Sequence, residues 1–362
     1  MDGMATAGEV RRRERDRAEV GLRVLVLAGG KSAERDVSLA SGDAVSRGLS
    51  EAGFTVLQLD PGVSPHAVEW NPQATGARIG SVPPEQSTRA VAGGTTGTIL
   101  SPADLSLADL RSMDVVFIAL HGGDGEDGHL QALLDMAGIS YTGSGMLASA
   151  LAMDKNAAKR IFAAEGIPTP EWRILDHRDE WAFADLQEVL GLPLIVKPNA
   201  QGSTVGLTLV KDESQWLPAL DEAFRWDKRV IVEEYIPGRE LTVGVLGEEP
   251  LPVVEMRPKH GIYDYECKYT PGQTEYLCPA PLSAAQTRMV QEQGMEAFRA
   301  LGCRGYARAD FRLSPDGRLF CLEMNTLPGM TAISLVPQAA KAAGIEFPEL
   351  LRRICRLAVE RE

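Results

Sequence analysis

The hydrophobic positions near the start of the chain follow the order strand, helix, strand. Residues 23–28 are a continuous apolar run that stops at Gly29 and Gly30, which is typical of a buried strand ending in a tight turn. Apolar residues then recur at roughly helical spacing, with Ser32 placed to cap the helix, and residues 54–59 are predicted to form the next strand. This order predicts a parallel sheet whose ligand sites lie at the carboxyl ends of its strands.

Strands and helices continue to alternate along the rest of the chain. Residues 61–110 are rich in Gly, Pro, Ser and Thr and are predicted to form long loops with short strands. Further strands are predicted at 113–120, 194–198, 230–236, 241–246, 305–313 and 319–323, and helices from about 129, at 146–164 and at 285–300. We expect α/β and α+β units after a flexible tail at 1–20: an N-terminal parallel-sheet (Rossmann-like) domain at 21–150, a central domain at 151–237 and a C-terminal domain at 238–362.

Composition and charge narrow the class of protein. The 362 residues are 44% hydrophobic and 24% charged, as in ordinary globular proteins. The net charge of −13 argues against nucleic acid as a partner, because such a site needs a basic face. No apolar run approaches the roughly 20 residues that cross a bilayer. The five cysteines lack metal-ligand spacing and are typical of reduced thiols, so we expect a cytoplasmic protein that binds small ligands.

A magnesium site is predicted where the last two strands pair. The turn sequence SPDG at 314–317 would join them into an antiparallel hairpin. Glu323 and Asn325 are two residues apart, so both side chains leave one face of their strand, and Asp310 on the partner strand can meet them. Three oxygen ligands on one face suit Mg²⁺, which takes its other ligands from water and phosphate. The alternative is a solvated acidic face, which the apolar neighbours disfavour.

Two lysines and a polar loop are candidates for binding phosphates. Lys197 ends an apolar strand and precedes a loop at 199–206 whose N–H groups and hydroxyls suit phosphate oxygens. Lys155 follows Asp154 at a helix, and either lysine taken alone is equally well explained as a surface residue. Residues 233–240 form either a hinge that presents backbone groups and a carboxylate to an adenine, or simply an acidic loop. The local sequence leaves both open.

Taken together, these residues resemble the ATP-grasp superfamily and, within it, the D-alanine–D-alanine ligases. The resemblance runs from about residue 23 to 358, and residues 61–110 fit it least well. Its most specific stretches are 28–38 (AGGKSAERDVS), 119–128 (ALHGGDGEDG), 141–145 (YTGSG), 153–155 (MDK), 263–269 (YDYECKY) and 323–331 (EMNTLPGMT). So many matches in one order make a chance resemblance implausible. The resemblance implies a three-domain ATP-grasp architecture.

The resemblance also implies an ATP-dependent reaction. The carboxylate of one D-alanine attacks the γ-phosphate of ATP to give an acyl phosphate, and the amine of a second D-alanine then displaces phosphate to form D-alanyl-D-alanine for peptidoglycan precursors. Activation is needed because a carboxylate is a poor electrophile, and phosphoryl transfer depends mainly on positioning and charge neutralisation. Two Mg²⁺ ions are implied, with Mn²⁺ able to substitute, and a monovalent cation is left open. The family suggests a cytoplasmic homodimer.

For the nucleotide, the resemblance assigns roles position by position. Asp310, Glu323 and Asn325 would hold the magnesium ions. Lys155 and Lys197 would contact phosphates beneath a loop that closes over them. That loop consists of Gln201, Gly202, Ser203, Thr204 and Val205. Glu233 would bind the adenine amino group, the backbone of Glu234 and Ile236 would contact the adenine edge, and Glu240 would bind the ribose. Lys268 would also lie near the nucleotide.

For the amino acids, the resemblance implies a separate set of residues. Glu34 would bind the ammonium of the first D-alanine, with His121 nearby. Lys268 and Ser334 would hold the carboxylate of the second, and Arg308 with the Gly329 N–H would stabilise the oxyanion. Glu34, Ser203 and Tyr269 would clamp a mobile loop over the site, because an acyl phosphate exposed to water would hydrolyse.

The pair Lys268 and Tyr269 decides the predicted product. Related ligases that use D-lactate or D-serine differ around this pair, and this chain keeps the pattern of the dipeptide-forming enzymes. One alternative is another ATP-grasp carboxylate–amine ligase, which would share the metal and lysine residues without Glu34, His121 and Tyr269. A second is a nucleotide-binding regulatory protein without turnover, and the intact Arg308, Asp310, Glu323 and Asn325 count against it.

Overall fold

The computed structural model describes residues 21–32, 34–71, 105–176, 182–259, 263, 267, 268, 270 and 272–360. Its strands are β1 (Arg23–Leu27), β2 (Thr55–Leu59), β3 (Val68–Glu69), β4 (Val115–Ile118), β5 (Trp172–Asp176), β6 (Leu194–Pro198), β7 (Thr208–Val210), β8 (Arg229–Glu234), β9 (Arg239–Leu246), β10 (Glu249–Pro250), β11 (Val254–Pro258), β12 (Thr274–Leu277), β13 (Tyr306–Leu313) and β14 (Leu319–Asn325). Its helices are α1 (Arg35–Glu51), α2 (Leu107–Arg111), α3 (His129–Ala137), α4 (Met146–Met153), α5 (Lys155–Ala164), α6 (Phe183–Leu190), α7 (Trp216–Phe224), α8 (Ala284–Ala300), α9 (Leu335–Ala342) and α10 (Phe347–Val359).

The first sheet confirms the parallel arrangement predicted from the strand, helix, strand order. Its strands follow the order β3-β2-β1-β4, with β1 parallel to both β2 and β4 and the short β3 antiparallel at the edge. All of β4 and nearly all of β1 are buried, as expected for parallel strands that are covered on both faces. Their carboxyl ends therefore open at one edge, where the loops after β1 and β4 meet.

Helix α1 buries Val37, Val45 and Leu49 of the predicted apolar face, and it also buries small residues that were not predicted. Ser38, Ser41, Gly42 and Ser46 are buried. A Cβ atom on Gly42 would lie 2.3 Å from that of Ala28, so only glycine allows the helix this close to the end of β1. Ser38 Oγ donates to the Ala119 carbonyl at 2.7 Å, and hydroxyls of this kind are therefore not orphaned by burial.

The prediction that Ser32 caps α1 is wrong. The N-cap position belongs to Glu34, whose side chain makes no capping hydrogen bond. Ser32 Oγ accepts a hydrogen bond from the Glu34 N–H at 3.2 Å and donates to the backbone carbonyl of His121. The hydroxyl therefore ties the loop after β1 to the loop after β4, and the Glu34 carboxylate is left available for contacts outside the helix.

The prediction of one helix at 146–164 is also wrong, because Asp154 divides it into α4 and α5. Asp154 has extended backbone angles, and its carboxylate accepts a hydrogen bond from the Ala157 N–H at 3.0 Å. An N-cap residue has a backbone conformation outside the helical region. Asp154 therefore ends α4 through its backbone and starts α5 through its side chain. The break places Lys155 at the start of α5, where its N–H donates to the Asn199 carbonyl at 3.2 Å.

Two antiparallel sheets form the rest of the molecule. The smaller has the order β5-β8-β6-β7, and the larger has the order β12-β11-β9-β13-β14, with β10 beside β9. The predicted hairpin of the last two strands is confirmed, with Asp310 opposite Glu323 and Arg308 opposite Asn325. A register shift after Asp310 interrupts the ladder next to these side chains.

The C-terminal helices complete the core of the first sheet. Leu350, Leu351 and Ile354 of α10 are buried in the same hydrophobic cluster as β1 and β4. The larger sheet shares its own core with α4, α5 and α8, and the smaller sheet with α6 and α7. Because the chain returns to the first sheet after β14, the connecting segment at 326–334 lies between the larger sheet and the loops of the first.

Some expectations fall partly or wholly outside the described residues. These are the tail at 1–20, residues 72–104 of the predicted loop region, and Tyr269. Within the described part of 61–110 lie β3 and the helix α2, which was not predicted. Among the described helices, none combines the length and the apolar character needed to cross a membrane.

Candidate active site

One cleft between the two antiparallel sheets collects most of the predicted nucleotide residues. It encloses about 900 Å³, part of it open to solvent. Its walls come from β6, the loop after β6, the end of β8 and the facing strands of the larger sheet. The predicted residues that line it are Lys155, Lys197, Gln201, Gly202, Thr204, Val205, Glu233, Glu234, Ile236, Glu240, Lys268, Asp310 and Glu323.

The two predicted phosphate lysines are buried at the cleft wall and are not surface residues. Lys155 is 7% exposed and Lys197 is 8% exposed. Lys155 Nζ donates to the Gln201 carbonyl at 2.6 Å and lies 3.2 Å from Glu323 Oε2. Lys197 Nζ donates to Glu233 Oε1 at 2.5 Å. Each ammonium is therefore fixed beside a carboxylate while it faces the cleft.

A third lysine, which the sequence analysis missed, lies behind them. Lys159 is fully buried, and its Nζ lies 3.0 Å from Glu233 Oε2. Burial alone would raise the pKa of Glu233, but Lys159 and Lys197 together hold that pKa below its ordinary value. The only sequence signal was helical spacing, since Lys159 follows Lys155 by one turn on the same face of α5.

The polar loop after β6 reaches across to the first sheet. Ser203 and Thr204 have φ angles of 49° and 58°, a left-handed conformation that residues other than glycine rarely adopt. Ser203 Oγ donates to Glu34 Oε1, and a Cβ atom on Gly202 would lie 2.7 Å from Glu34 Oε2. Two of the three predicted clamp residues are therefore in contact, and the third, Tyr269, lies outside the described residues.

The predicted metal ligands lie on one face of the hairpin, where other side chains hold them. Asp310 accepts hydrogen bonds from Arg308 Nε at 2.9 Å, from Arg308 Nη2 at 2.8 Å and from Thr242 Oγ1 at 2.6 Å. Asn325 Oδ1 accepts from the Leu327 N–H at 3.0 Å. The Arg308 guanidinium is therefore locked in a bidentate pair beside the candidate metal site.

Glu323 stands among four cationic side chains. Burial opposes its ionisation, but Lys155, Lys197, Lys268 and Arg308 hold its pKa at about 2. It is therefore ionised across the physiological range. Two carboxylates and an amide oxygen on one sheet face are hard donors, and they fit the requirements of Mg²⁺.

His121 and Glu34 lie together at the edge of the first sheet. They are 6% and 8% exposed. His121 Nε2 lies 3.0 Å from Ser41 Oγ, which in turn accepts from the Met330 N–H at 3.3 Å. Burial lowers the pKa of His121, outweighing the opposite effect of Glu34, so the imidazole is neutral near pH 7. The chain of contacts joins this edge to the 326–334 segment.

The residues predicted for the second amino acid lie on that segment and on the cleft wall. A Cβ atom on Gly329 would lie 3.0 Å from Ser334 Oγ, so these two predicted residues are neighbours. Ser334 Oγ accepts from the Thr331 N–H at 3.0 Å. Lys268 Nζ lies 5.2 Å above the ring of Tyr263, and burial lowers its pKa. Lys268 lines the nucleotide cleft, and its contact with a second amino acid stays a prediction.

Comparison with known proteins places this arrangement in a family. The family model described as D-ala D-ala ligase N-terminus matches residues 23–144, and the model described as D-ala D-ala ligase C-terminus matches residues 161–356. This chain belongs to the D-alanine–D-alanine ligase family.

Individual members of the ligase family resemble the chain over nearly its whole length. The D-alanine–D-alanine ligase of Syntrophotalea carbinolica is 43% identical over 333 residues, which cover 92% of this chain and 94% of that protein. The enzyme of the same name from a Synechococcus strain is 40% identical over 341 residues, 94% of each chain. The crystal structure of the D-alanine–D-alanine ligase from Bacillus anthracis complexed with ATP matches with a TM-score of 0.74 at 30% identity, over 94% of this chain and 98% of that one. The predicted ATP-grasp fold is confirmed.

A second residue that the sequence analysis missed supports the nucleotide cleft of this ligase-family chain. Arg312 on β13 donates from Nε to the Ile236 carbonyl at 2.9 Å and from Nη1 to Glu240 Oε2 at 3.0 Å. Burial raises the pKa of Glu240 to about 7 although Arg312 opposes the shift. One guanidinium therefore holds both the segment between β8 and β9 and the carboxylate predicted for the ribose.

Glu126, in the family-like stretch at 119–128, should make stability depend on pH. It is 7% exposed, its Oε2 accepts from the Gly122 N–H at 2.9 Å, and burial together with Glu34 raises its pKa to about 8. Because the folded protein binds the Glu126 proton more tightly than the unfolded chain does, this proton stabilises the fold fully below the unfolded pKa of about 4.5. The stabilisation is lost as the pH rises through the folded-state pKa of about 8. We expect Glu126→Gln, whose amide oxygen still accepts from Gly122, to gain stability relative to the parent between about pH 5 and about pH 9.

Urea unfolding of the two proteins across that range measures the difference. The exposed Glu188→Gln on α6 is the matched control and should leave the pH profile unchanged. Parallel profiles for the parent and Glu126→Gln would mean that Glu126 is ionised in the folded protein.

Proposed function

We propose that this chain joins two D-alanines to D-alanyl-D-alanine with ATP, releasing ADP and phosphate, for peptidoglycan precursor synthesis. Membership of the ligase family supports this, and one observation in the molecule carries it further. The loop over the nucleotide cleft contacts Glu34 through Ser203 and Gly202. Glu34 is a buried carboxylate suited to an amino-acid ammonium, so an amino acid bound there would have its own carboxylate near the end of a bound nucleotide.

In the first step, the proposed role of the protein is to position two anions that repel each other. Lys155 and Lys197, which line the cleft, bind the phosphates, and the Gln201–Val205 loop covers them. Magnesium ions held by Asp310, Glu323 and Asn325, with Mn²⁺ as a substitute, would supply the charge that offsets the phosphates. An oxygen of the D-alanine carboxylate bonds to the γ-phosphorus as the bond to the ADP oxygen breaks, and the closed loop excludes water.

In the second step, an amine replaces the phosphate. The amine of the second D-alanine attacks the acyl carbon, a C–N bond forms as the C–O bond to phosphate breaks, and the departing phosphate takes the proton that the amine loses. Arg308 and the Gly329 N–H stabilise the oxyanion, and Asp310 orients Arg308 for this role. Lys268 and Ser334 bind the second carboxylate.

For the base, the proposal places the adenine in the cleft between the two antiparallel sheets, next to β6 and the end of β8. Glu233 accepts from the exocyclic amino group. The Glu234 N–H is already bonded to the Glu171 carbonyl at 3.0 Å, so a contact from Glu234 to the base comes from its carbonyl. Ile236 contributes its N–H, since Arg312 occupies its carbonyl. Glu240 binds the ribose.

Other expectations from the sequence are part of the same proposal. They are the division into domains at 21–150, 151–237 and 238–362, a cytoplasmic homodimer, two magnesium ions per site, and D-alanine in preference to D-lactate through Lys268 and Tyr269. The need for a monovalent cation stays open.

The test is phosphate release from ATP, measured together with dipeptide formation. We expect release to require D-alanine, to fail with L-alanine and to yield one phosphate per dipeptide. Nucleotide binding without turnover would favour a regulatory protein, and turnover with another carboxylate but not with D-alanine would favour a different ATP-grasp ligase. D-lactate outcompeting D-alanine as the acceptor at neutral pH would contradict the proposed product.

A further inference from the structure

A buried carboxylate lies between two buried ammonium groups at the inner end of the cleft. Glu233 Oε1 is 2.5 Å from Lys197 Nζ, and Glu233 Oε2 is 3.0 Å from Lys159 Nζ. The proposed reaction gives roles to Glu233 and Lys197 but none to Lys159. Burying an ammonium group costs desolvation free energy. The fully buried Lys159 beside a carboxylate proposed to bind the nucleotide therefore suggests a functional role.

The surroundings of Lys159 fix its position. Its Nζ donates to Thr169 Oγ1 at 2.8 Å and to the Pro170 carbonyl at 3.0 Å, and it forms an ion pair with Glu233. The ammonium also lies 5.2 Å from the centre of the Trp172 ring. Lys197 lines the cleft, whereas Lys159 lies behind its wall. Lys159 is therefore placed to act on Glu233 and not on a ligand.

One oxygen of Glu233 still has capacity for a hydrogen bond. The approach of Lys159 to Oε2 is an ion pair without hydrogen-bond geometry, and within the described ranges this buried oxygen receives no hydrogen bond. A buried, ionised acceptor of this kind favours a ligand that brings an N–H donor. The 6-amino group of adenine is such a donor, whereas the 6-oxo group of hypoxanthine is an acceptor.

We propose that Lys159 is a positioning residue for the nucleotide: it holds Glu233 ionised and oriented towards the base, so that Lys197 can turn from Glu233 to a phosphate. The proposal rests on the nucleotide site proposed above. The Lys197 ammonium has two proposed partners, Glu233 and a phosphate. If Lys159 were absent, a turn of Lys197 towards the phosphate would leave Glu233 as an unpaired buried charge. With Lys159 in place, the carboxylate keeps one cation throughout.

The test is Lys159→Met, which keeps most of the side-chain volume and removes the charge. We expect the KM for ATP to rise roughly 10-fold or more, with kcat at saturating ATP within about threefold of the parent, because the lost interaction acts on binding. The preference for ATP over inosine triphosphate should fall by a similar factor. The KM of the variant should also rise as pH falls, since Glu233 with one cation fewer protonates more readily.

Arg160→Met is the matched control, because it removes one positive charge from an exposed neighbour on the same helix. It should change neither KM nor nucleotide preference. A folded Lys159→Met with the parent's KM and preference would overturn the proposal, and so would a fall in kcat alone.

Two further variants separate positioning from a general loss of stability. Glu233→Gln should reduce the preference for ATP, and the double variant with Lys159→Met should be little worse than the more impaired single variant, because Lys159 acts through Glu233. Fully additive losses would contradict this. If Lys159→Met does not fold, Thr169→Val removes one hydrogen-bond partner of Lys159 and should raise the KM for ATP by a smaller factor with kcat retained; an unchanged KM would count against the proposal.

The parent protein shows which proposal has failed. If it neither binds nor consumes ATP, the proposed function itself is wrong. If it requires ATP while Lys159→Met and Thr169→Val keep the parent's KM and nucleotide preference, only the role of Lys159 is wrong.

Discussion

Replacing Glu323 with alanine should lower D-alanine-dependent phosphate release roughly a thousandfold and leave the protein folded. Glu323 is the proposed metal ligand that stands among the most cations, with Lys155 Nζ 3.2 Å from its Oε2. Its pKa of about 2 keeps it ionised, so it would offer a full negative charge to a metal ion near neutral pH. Without it, the proposed ions that offset phosphate charge would lose a ligand at the centre of the site.

Nucleotide binding separates this role from a structural one. Glu323→Ala removes a negative charge beside Lys155, Lys197 and Lys268, so magnesium-free ATP should bind the variant at least as tightly as the parent. Glu275→Ala, at an exposed position on β12 of the same sheet, is the matched control and should keep full turnover. Normal turnover by folded Glu323→Ala would contradict the assignment.

The sequence predicted much of the local geometry of the candidate metal site because that geometry depends on strand periodicity. Side chains two residues apart on a strand share a face, and a turn of four residues fixes which strand lies opposite. The shared face of Glu323 and Asn325 follows from the first rule, whereas Asp310 lies directly opposite Glu323 only because the register shifts after Asp310. The parallel first sheet was predictable for a similar reason, since β1 and β4 are continuous apolar runs.

The buried ion pairs were not predictable, because burial of a charge is decided by tertiary packing. Lys159 and Arg312 look like ordinary surface cations in the sequence, yet Lys159 is fully buried and Arg312 is 9% exposed. Their partners come from distant parts of the chain: Glu233 for Lys159, and Ile236 with Glu240 for Arg312. The serine-rich face of α1 was missed for the same reason, since Ser38 is buried only where Ala119 accepts its hydrogen bond.

The predicted ligand-binding residues also contact one another, which the sequence could not reveal. Lys155 pairs with Glu323, Lys197 with Glu233, and Arg308 with Asp310. In each pair, the cation is proposed to bind a phosphate or the oxyanion, and the acid is proposed to bind a metal ion or the adenine base. The two side chains therefore neutralise each other before the ligands bind. The site therefore keeps many buried charges close together at limited electrostatic cost, and magnesium with ATP would add charges of both signs in the same places.

Arg308→Lys should separate the two halves of the proposed reaction. The Arg308 guanidinium holds both oxygens of Asp310 at 2.8 and 2.9 Å, and although burial opposes it, Asp310 raises the pKa of Arg308. Lysine keeps the positive charge, but its single ammonium cannot make the two parallel hydrogen bonds to Asp310 and also keep an N–H pointing in a fixed direction towards the oxyanion. We expect dipeptide formation to fall about a hundredfold, as when one oxyanion donor is lost.

Phosphate release should fall much less, because the oxyanion arises only when the amine attacks the acyl phosphate. An acyl phosphate that waits longer for the amine is exposed to hydrolysis, so the variant should release more than one phosphate for each dipeptide. Arg299→Lys, on the surface of α8, is the control and should keep the ratio at one. Equal losses of phosphate and dipeptide by Arg308→Lys would instead place Arg308 in phosphoryl transfer, and they would remove the reason to assign it to the oxyanion.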